Sequence, residues 1–127
     1  MTDLIEVKTA DLVGEPLAWA VAKAEGLDVQ LEPPQYGNPW RVFVRRVGEA
    51  ITRLERYNPP QDWAMGGPLI TKYRIGFAIY PDDYFAAIGV NEHSGADVGA
   101  THLIAACRAI TCARLGNTVQ VPKELMT

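Results

Sequence analysis

The chain has 127 residues, 48% of them hydrophobic, which suits one domain with a single core and is too few for two. Its net charge of −3 with 21% charged residues gives neither the basic field of a nucleic-acid binder nor an acidic disordered tail. No apolar run approaches the roughly 20 residues of a bilayer span, and the start MTDLIEVK lacks the basic-then-apolar order of a signal peptide, so a cytoplasmic protein without a membrane partner is expected. Cys107 and Cys112 lie five apart in what reads as one helix, a poor geometry for a mutual disulfide and a fit to a reducing compartment.

Residues 4–7 read as a short edge strand, with Thr9 and Asp11 as turn-formers before Gly14. Pro16 suits a first helical position and Gly26 the residue just past the end. Between them Leu17, Ala20, Val21 and Ala24 share one face and Trp19 and Lys23 another, which predicts a helix with the indole at the margin of the core. Leu27, Val29 and Leu31 alternate with polar residues, a half-buried strand ended by Pro33-Pro34. Asn38 as N-cap, Pro39 after it, and Trp40, Val44, Val47, Ile51 and Leu54 at steps of four and three predict an amphipathic helix over 38–56, with Arg45, Glu49 and Arg53 paired along its other side. A strand over 42–44 competes, because those residues are β-branched or aromatic and Gly48 weakens a helix.

The segment YNPPQDWAMGGPLI, 57–70, is too punctuated for a helix and too aromatic for a plain linker, and its Pro and Gly residues hold Asp62-Trp63 on a backbone with little freedom. Runs over 73–80 and 84–90, joined by Pro81-Asp82-Asp83, predict an antiparallel hairpin. NEHSGADVGA, 91–100, reads as a loop. Thr101 then caps a helix over 102–115 with Leu103, Ala106, Cys107 and Ile110 as its buried stripe and Gly116 as its stop. Val119 and Val121 give a last strand before Pro122. The sum is an α+β fold: a small antiparallel sheet packed with two to three helices in a single compact domain, 1–127.

Three blocks of this order, GEPLAWAVAKAEG at 14–26, YNPPQDWAMGGPLI at 57–70 and THLIAACRAITCARLGNTVQVPKEL at 101–125, together resemble the NinX-like family of bacteriophage and prophage proteins. The most specific residues are Trp19 to Ala22, then Asp62, Trp63, Gly66, Gly67 and Pro68, then Leu103 to Ala106, Arg108, Leu115, Gly116 and Pro122. Residues 27–56 fall outside these blocks, and the turn before Thr101 departs from the Gly-Pro-Thr-Pro start associated with the family. The resemblance implies a phage origin and action inside a bacterial cell, and no reaction.

Two segments are candidates for chemistry. The start of the last helix offers backbone N–H groups and a positive dipole end to an anion, with Thr101 and Arg108 on one face to cap and clamp a phosphate or carboxylate. The plainer alternative is that Thr101 only caps and Arg108 pairs with a surface acid. Asp62-Trp63 presents a ring for stacking and an acceptor for a hydroxyl, framed by Gly66 and Gly67 and joined by the aromatic Tyr57; its rival is a structural plug. Glu92, His93 and Asp97 are weak metal ligands at best, His102 has no partner at metal spacing, and Asp82-Asp83 reads as a solvated turn. No nucleophile–base or metal constellation stands out, so no cofactor, metal or turnover is expected. The ligand set is therefore Tyr57, Asp62, Trp63, Gly66, Gly67, Thr101 and Arg108, and the expected partner is a phosphate-bearing small molecule. In a phage that molecule would be a nucleotide-derived immune signal, sequestered as an anti-defence measure by a homo-oligomer. A protein-interaction module and, behind it, a nucleotide-acting enzyme are the alternatives; nucleic acid is not expected, since Glu49 and Glu55 interrupt the arginines of 41–56.

Overall fold

The computed structural model describes residues 3–79, 84–88 and 97–126. In chain order they form β1 (Leu4–Lys8), α1 (Gly14–Ala24), β2 (Val29–Glu32), β3 (Arg41–Val47), β4 (Thr52–Arg56), α2 (Trp63–Lys72), β5 (Ile75–Ile79), β6 (Tyr84–Ile88), β7 (Asp97–Gly99), α3 (His102–Leu115) and β8 (Thr118–Pro122). The α+β class holds, and the described residues contain three helices, of which α1 and α3 stand where the sequence places them and α2 does not. The single sheet resolves into three small antiparallel ones, β1-β8, β2-β3-β4 and β5-β6-β7.

α3 is the axis of the packing. It lies against α1, α2, β6 and β7, and Leu103, Ala105, Ala106, Cys107, Ala109, Ile110 and Thr111 are all buried. A helix enclosed on most sides needs apolar residues on most sides, and its small ones suit the close packing of α1, whose Ala18 and Ala22 are fully buried. Leu12, Leu17, Val21, Val42, Val44, Ile110 and Val121 complete the core, each essentially without exposed surface. Trp19, expected at the margin, is buried, with its indole N–H donating to Gln120 O at 3.3 Å and Lys23 Nζ over its ring. Gly26 ends α1 at φ +71°, the left-handed geometry expected of it, whereas α1 begins at Gly14, so Pro16 stands two residues inside its start.

Three sequence expectations are corrected. Residues 38–56 are a hairpin and its approach, not a helix: β3 pairs β4 in register Phe43↔Arg56 to Val47↔Thr52. The helical spacing of Trp40, Val44, Val47, Ile51 and Leu54 is outweighed by burial with a period of two, Val42 and Val44 entering the core while Val47, Ile51 and Leu54 stay outside. Asn38 is the last residue of a tight turn, Gln35↔Asn38, in which Tyr36 and Gly37 both take positive φ. Conversely, the segment 57–70 does contain a helix. Asp62 Oδ1 accepts from Ala64 N–H at 2.9 Å to start α2, and the carbonyl that Pro68 leaves without a donor belongs to exposed Ala64. Finally, the expected loop 91–100 contains β7 at its end, paired to β6. The turn at Pro81-Asp82-Asp83 and the group Glu92, His93 lie outside the described residues.

Candidate functional site

α2 and α3 start side by side, and the space between their first turns is a cleft of about 440 Å3 lined by Pro60, Gln61, Trp63, Ala100, Thr101, His102, Leu103 and Ile104. Each helix is capped by its own side chain. Asp62 serves α2, and Thr101 Oγ1 accepts from Ile104 N–H at 3.1 Å while Thr101 O accepts from Ala105 N–H at 3.0 Å. The two caps differ in charge. Asp62 places a carboxylate at α2, whereas the first turn of α3 holds no acid, so its dipole end has no negative charge of its own helix beside it.

Two glycines bring the helix starts together. A methyl group at Gly66 would sit 2.5 Å from Leu103 Cδ2 and 2.6 Å from Pro59 O, and one at Gly99 would sit 2.5 Å from Ala105 N. Both positions need the missing Cβ, Gly66 so that α2 can lie on α3 and Gly99 so that β7 can turn into it. At Gly67 a methyl would meet only Trp63 Cε3 at 3.9 Å, an ordinary contact.

Trp63 is 58% exposed, so it is not a plug. Its ring centroid lies 6.4 Å from that of His102 at a tilt of 50°, and the His102 ring stands edge-on to Phe77 at 4.9 Å and 78°. His102 thus ties α2, α3 and β5 together behind an indole whose remaining surface faces solvent. Among the described residues of the lining there is no Lys or Arg.

Of the seven residues expected from sequence, Trp63 and Thr101 line this cleft, Asp62 adjoins it as a cap, and Gly66 and Gly67 lie in the helix behind Trp63. Tyr57 and Arg108 are elsewhere. Tyr57 is buried beside a second cavity with Glu25, Arg46, Glu55 and Leu69, and burial, then the nearby Glu25 charge, raises its hydroxyl well above the ordinary tyrosine range. Arg108 does not reach an anion at the helix start. Its Nε donates to Leu12 O at 2.9 Å and its Nη1 to Val98 O at 2.7 Å, so it fastens α3 to the backbone on either side. The lining residues outside the expected set are Pro60, Gln61, Ala100, His102, Leu103 and Ile104; a histidine directly after an N-cap was the available signal for His102. Cys107 is buried and its thiol is pushed up to about 12 by that burial, and Cys112 is half-buried with Sγ 3.2 Å from Asn117 Oδ1. Among the described residues no three His, Cys, Asp or Glu side chains gather in a metal-binding group, and no helix is long and apolar enough to cross a membrane.

A search of curated proteins gave no match. A family model described as Bacteriophage P22, NinX matches residues 8–114, a span that takes in the first two sequence blocks, 27–56 between them and the third block as far as 114, and the chain belongs to that phage family.

Proposed function

We propose that this protein is a phage accessory protein of the host cytoplasm that binds a phosphate-bearing small molecule, such as a nucleotide-derived immune signal, and holds it without turnover. The observation that carries the reading is the exposed Trp63 ring set beside the acid-free start of α3 in one cleft. The indole offers a base a stacking surface, and the first-turn N–H groups offer a phosphate their hydrogen bonds. A cleft of about 440 Å3 is within the range of small-molecule sites. Because the described residues of its lining include no Lys or Arg, a ligand of little charge suits it, a monophosphate or phosphodiester in place of a triphosphate.

Native mass spectrometry of protein purified from cells with active nucleotide signalling tests this directly, followed by denaturation and identification of what is released. A released intact nucleotide is expected, and titration of that nucleotide into Trp63→Ala should show affinity reduced about 5- to 150-fold, the loss of one stacked base. Protein that never retains a nucleotide, or a Trp63→Ala variant that binds as well as the parent, removes the reading.

A further inference from the structure

β4 uses one edge to pair with β3, and among the described residues no strand takes its other edge. The ends of the ladder determine which backbone groups face outward. Gly48 N–H donates to Ile51 O at 2.8 Å and Tyr57 N–H to Val42 O at 3.0 Å, so by the alternation of an antiparallel pair Arg53 and Glu55 turn their backbone groups towards β3. The N–H and C=O of Thr52, Leu54 and Arg56 therefore point to the open edge. Leu54 is 47% exposed, and this edge carries none of the Pro or Lys residues that commonly keep an edge strand from pairing.

The order of side chains names the occupant. We propose that β4 pairs antiparallel with β4 of a second copy of this chain, about a two-fold axis at Leu54, to make one continuous six-stranded sheet. In that register Leu54 lies opposite the partner's Leu54, Arg53 opposite the partner's Glu55, and Glu55 opposite the partner's Arg53. Leu54 falls on a hydrogen-bonded pair and the charges on the non-hydrogen-bonded pairs, where side chains approach most closely. Within its own sheet Arg53 faces Arg46, a like charge, while Glu55 pairs with Arg46 at 3.2 Å. The partner's Glu55 supplies the counter-ion that Arg53 lacks across its own ladder. Sliding the copies by two residues either way sets Arg53 on the partner's Arg53 or Glu55 on the partner's Glu55, so charge selects the register. The contact is isologous and closes at two copies. It is independent of what the cleft binds.

Sedimentation equilibrium of the full chain reads it. The parent should be a dimer. Leu54→Pro removes an N–H that points away from β3, so the variant should keep the parent's circular dichroism and sediment as a monomer. Arg53→Glu and Glu55→Arg should each raise the dimer dissociation constant about tenfold or more, and the double variant, which restores opposite charges in the same register, should recover the dimer. If Leu54→Pro fails to fold, the charge cycle decides alone. A parent that is monomeric throughout, or a dimer indifferent to these changes, overturns the proposal.

Discussion

Two helix starts in this molecule look alike in outline and behave as opposites. α1 begins in a cleft of about 340 Å3 with Val13, Gly14, Glu15, Pro16 and Trp40 in its wall, and α3 begins in the cleft that holds Trp63 and Thr101. Each pairs a helix dipole with an indole. At α1, however, the cap residue Val13 offers no side-chain bond, and the first turn carries its own acid. The Glu15 carboxylate accepts from Val42 N–H at 2.8 Å and pairs with the Arg56 guanidinium, so it stitches α1 to the base of the β3–β4 hairpin. The positive end of α1 is thereby answered from within the fold, while the start of α3, capped by a neutral hydroxyl, is answered only in part. A helix start is open to a ligand where the chain supplies no charge of its own.

The largest expected effect comes from prising the α3 start apart. Gly66→Ala drives a methyl group into Leu103 and the Pro59 carbonyl, and since the second of these is backbone, α2 must shift as a body. Overpacking of this kind costs about 1 to 3 kcal/mol, and the backbone neighbour places this site at the upper end. Chemical denaturation should show the loss, with the cleft between α2 and α3 disturbed as well. A Gly66→Ala variant as stable as the parent would mean that α2 does not depend on this contact.

Next is the other helix start. Glu15→Ala leaves the Arg56 guanidinium, whose side chain is about one third exposed, and the Val42 N–H without their carboxylate. Stripping the partner from groups this far from solvent should cost about 2 kcal/mol in a denaturation midpoint. Glu15→Gln keeps a side-chain oxygen to accept from Val42 N–H and should lose less. A Glu15→Gln variant as stable as the parent would show that the charge on residue 15 contributes nothing, and a loss equal to that of Glu15→Ala would show that the neutral acceptor contributes nothing.

A finer change makes the two starts alike. Thr101→Asp keeps a capping oxygen for Ile104 N–H, so stability should stay within about 0.5 kcal/mol of the parent, whereas Thr101→Ala should cost about 1 kcal/mol. The same aspartate puts an acid where α3 has none. Retention of a phosphate-bearing ligand should then fall about tenfold, and undiminished retention would move the anion away from this helix end.

How much of this was legible in the sequence depends on where each residue's partner sits. α3 was read correctly at both ends, because Thr101 and Gly116 act on their own helix. α2 was hidden by Gly66, Gly67 and Pro68, residues that disfavour a helix in isolation; Gly66 is there for Leu103, which is remote in the chain. The β3–β4 hairpin was misread because Trp40, Val44, Val47, Ile51 and Leu54 satisfy a helical period while Val42 and Val44 satisfy a strand's, and only the core decides between them. At the cleft, Trp63 and Thr101 were each visible from local punctuation and capping. Arg108 was misassigned for the opposite reason: its acceptors are the backbone carbonyls of Leu12 and Val98, which leave no mark in side-chain chemistry.

α1 has a second tethered acid at its far end, and it gives the effect that is smallest at neutral pH. Glu25, with 8% of its side chain exposed, accepts from Lys72 Nζ at 2.8 Å and from the Tyr73 hydroxyl. Burial first, then this bond and the Glu25 charge, push the Tyr73 hydroxyl up from 10.0 to about 12. A phenol with a raised folded-state pKa binds its proton more tightly in the fold than in the unfolded chain, so its contribution is complete below pH 10 and is lost as pH climbs through about 12. Tyr57 acts in the same direction, and the Cys107 thiol, raised from 9.0 to about 12, begins the decline slightly earlier. Thermal melts should therefore be insensitive to these groups near neutrality and fall steeply in the alkaline range. Tyr73→Phe should lower the melting point modestly at neutral pH, where Glu25 loses one donor but keeps Lys72, and should flatten the alkaline decline without abolishing it, since Tyr57 and Cys107 still titrate. An alkaline slope identical in parent and variant would show that the Tyr73–Glu25 bond does not couple the end of α2 to the end of α1.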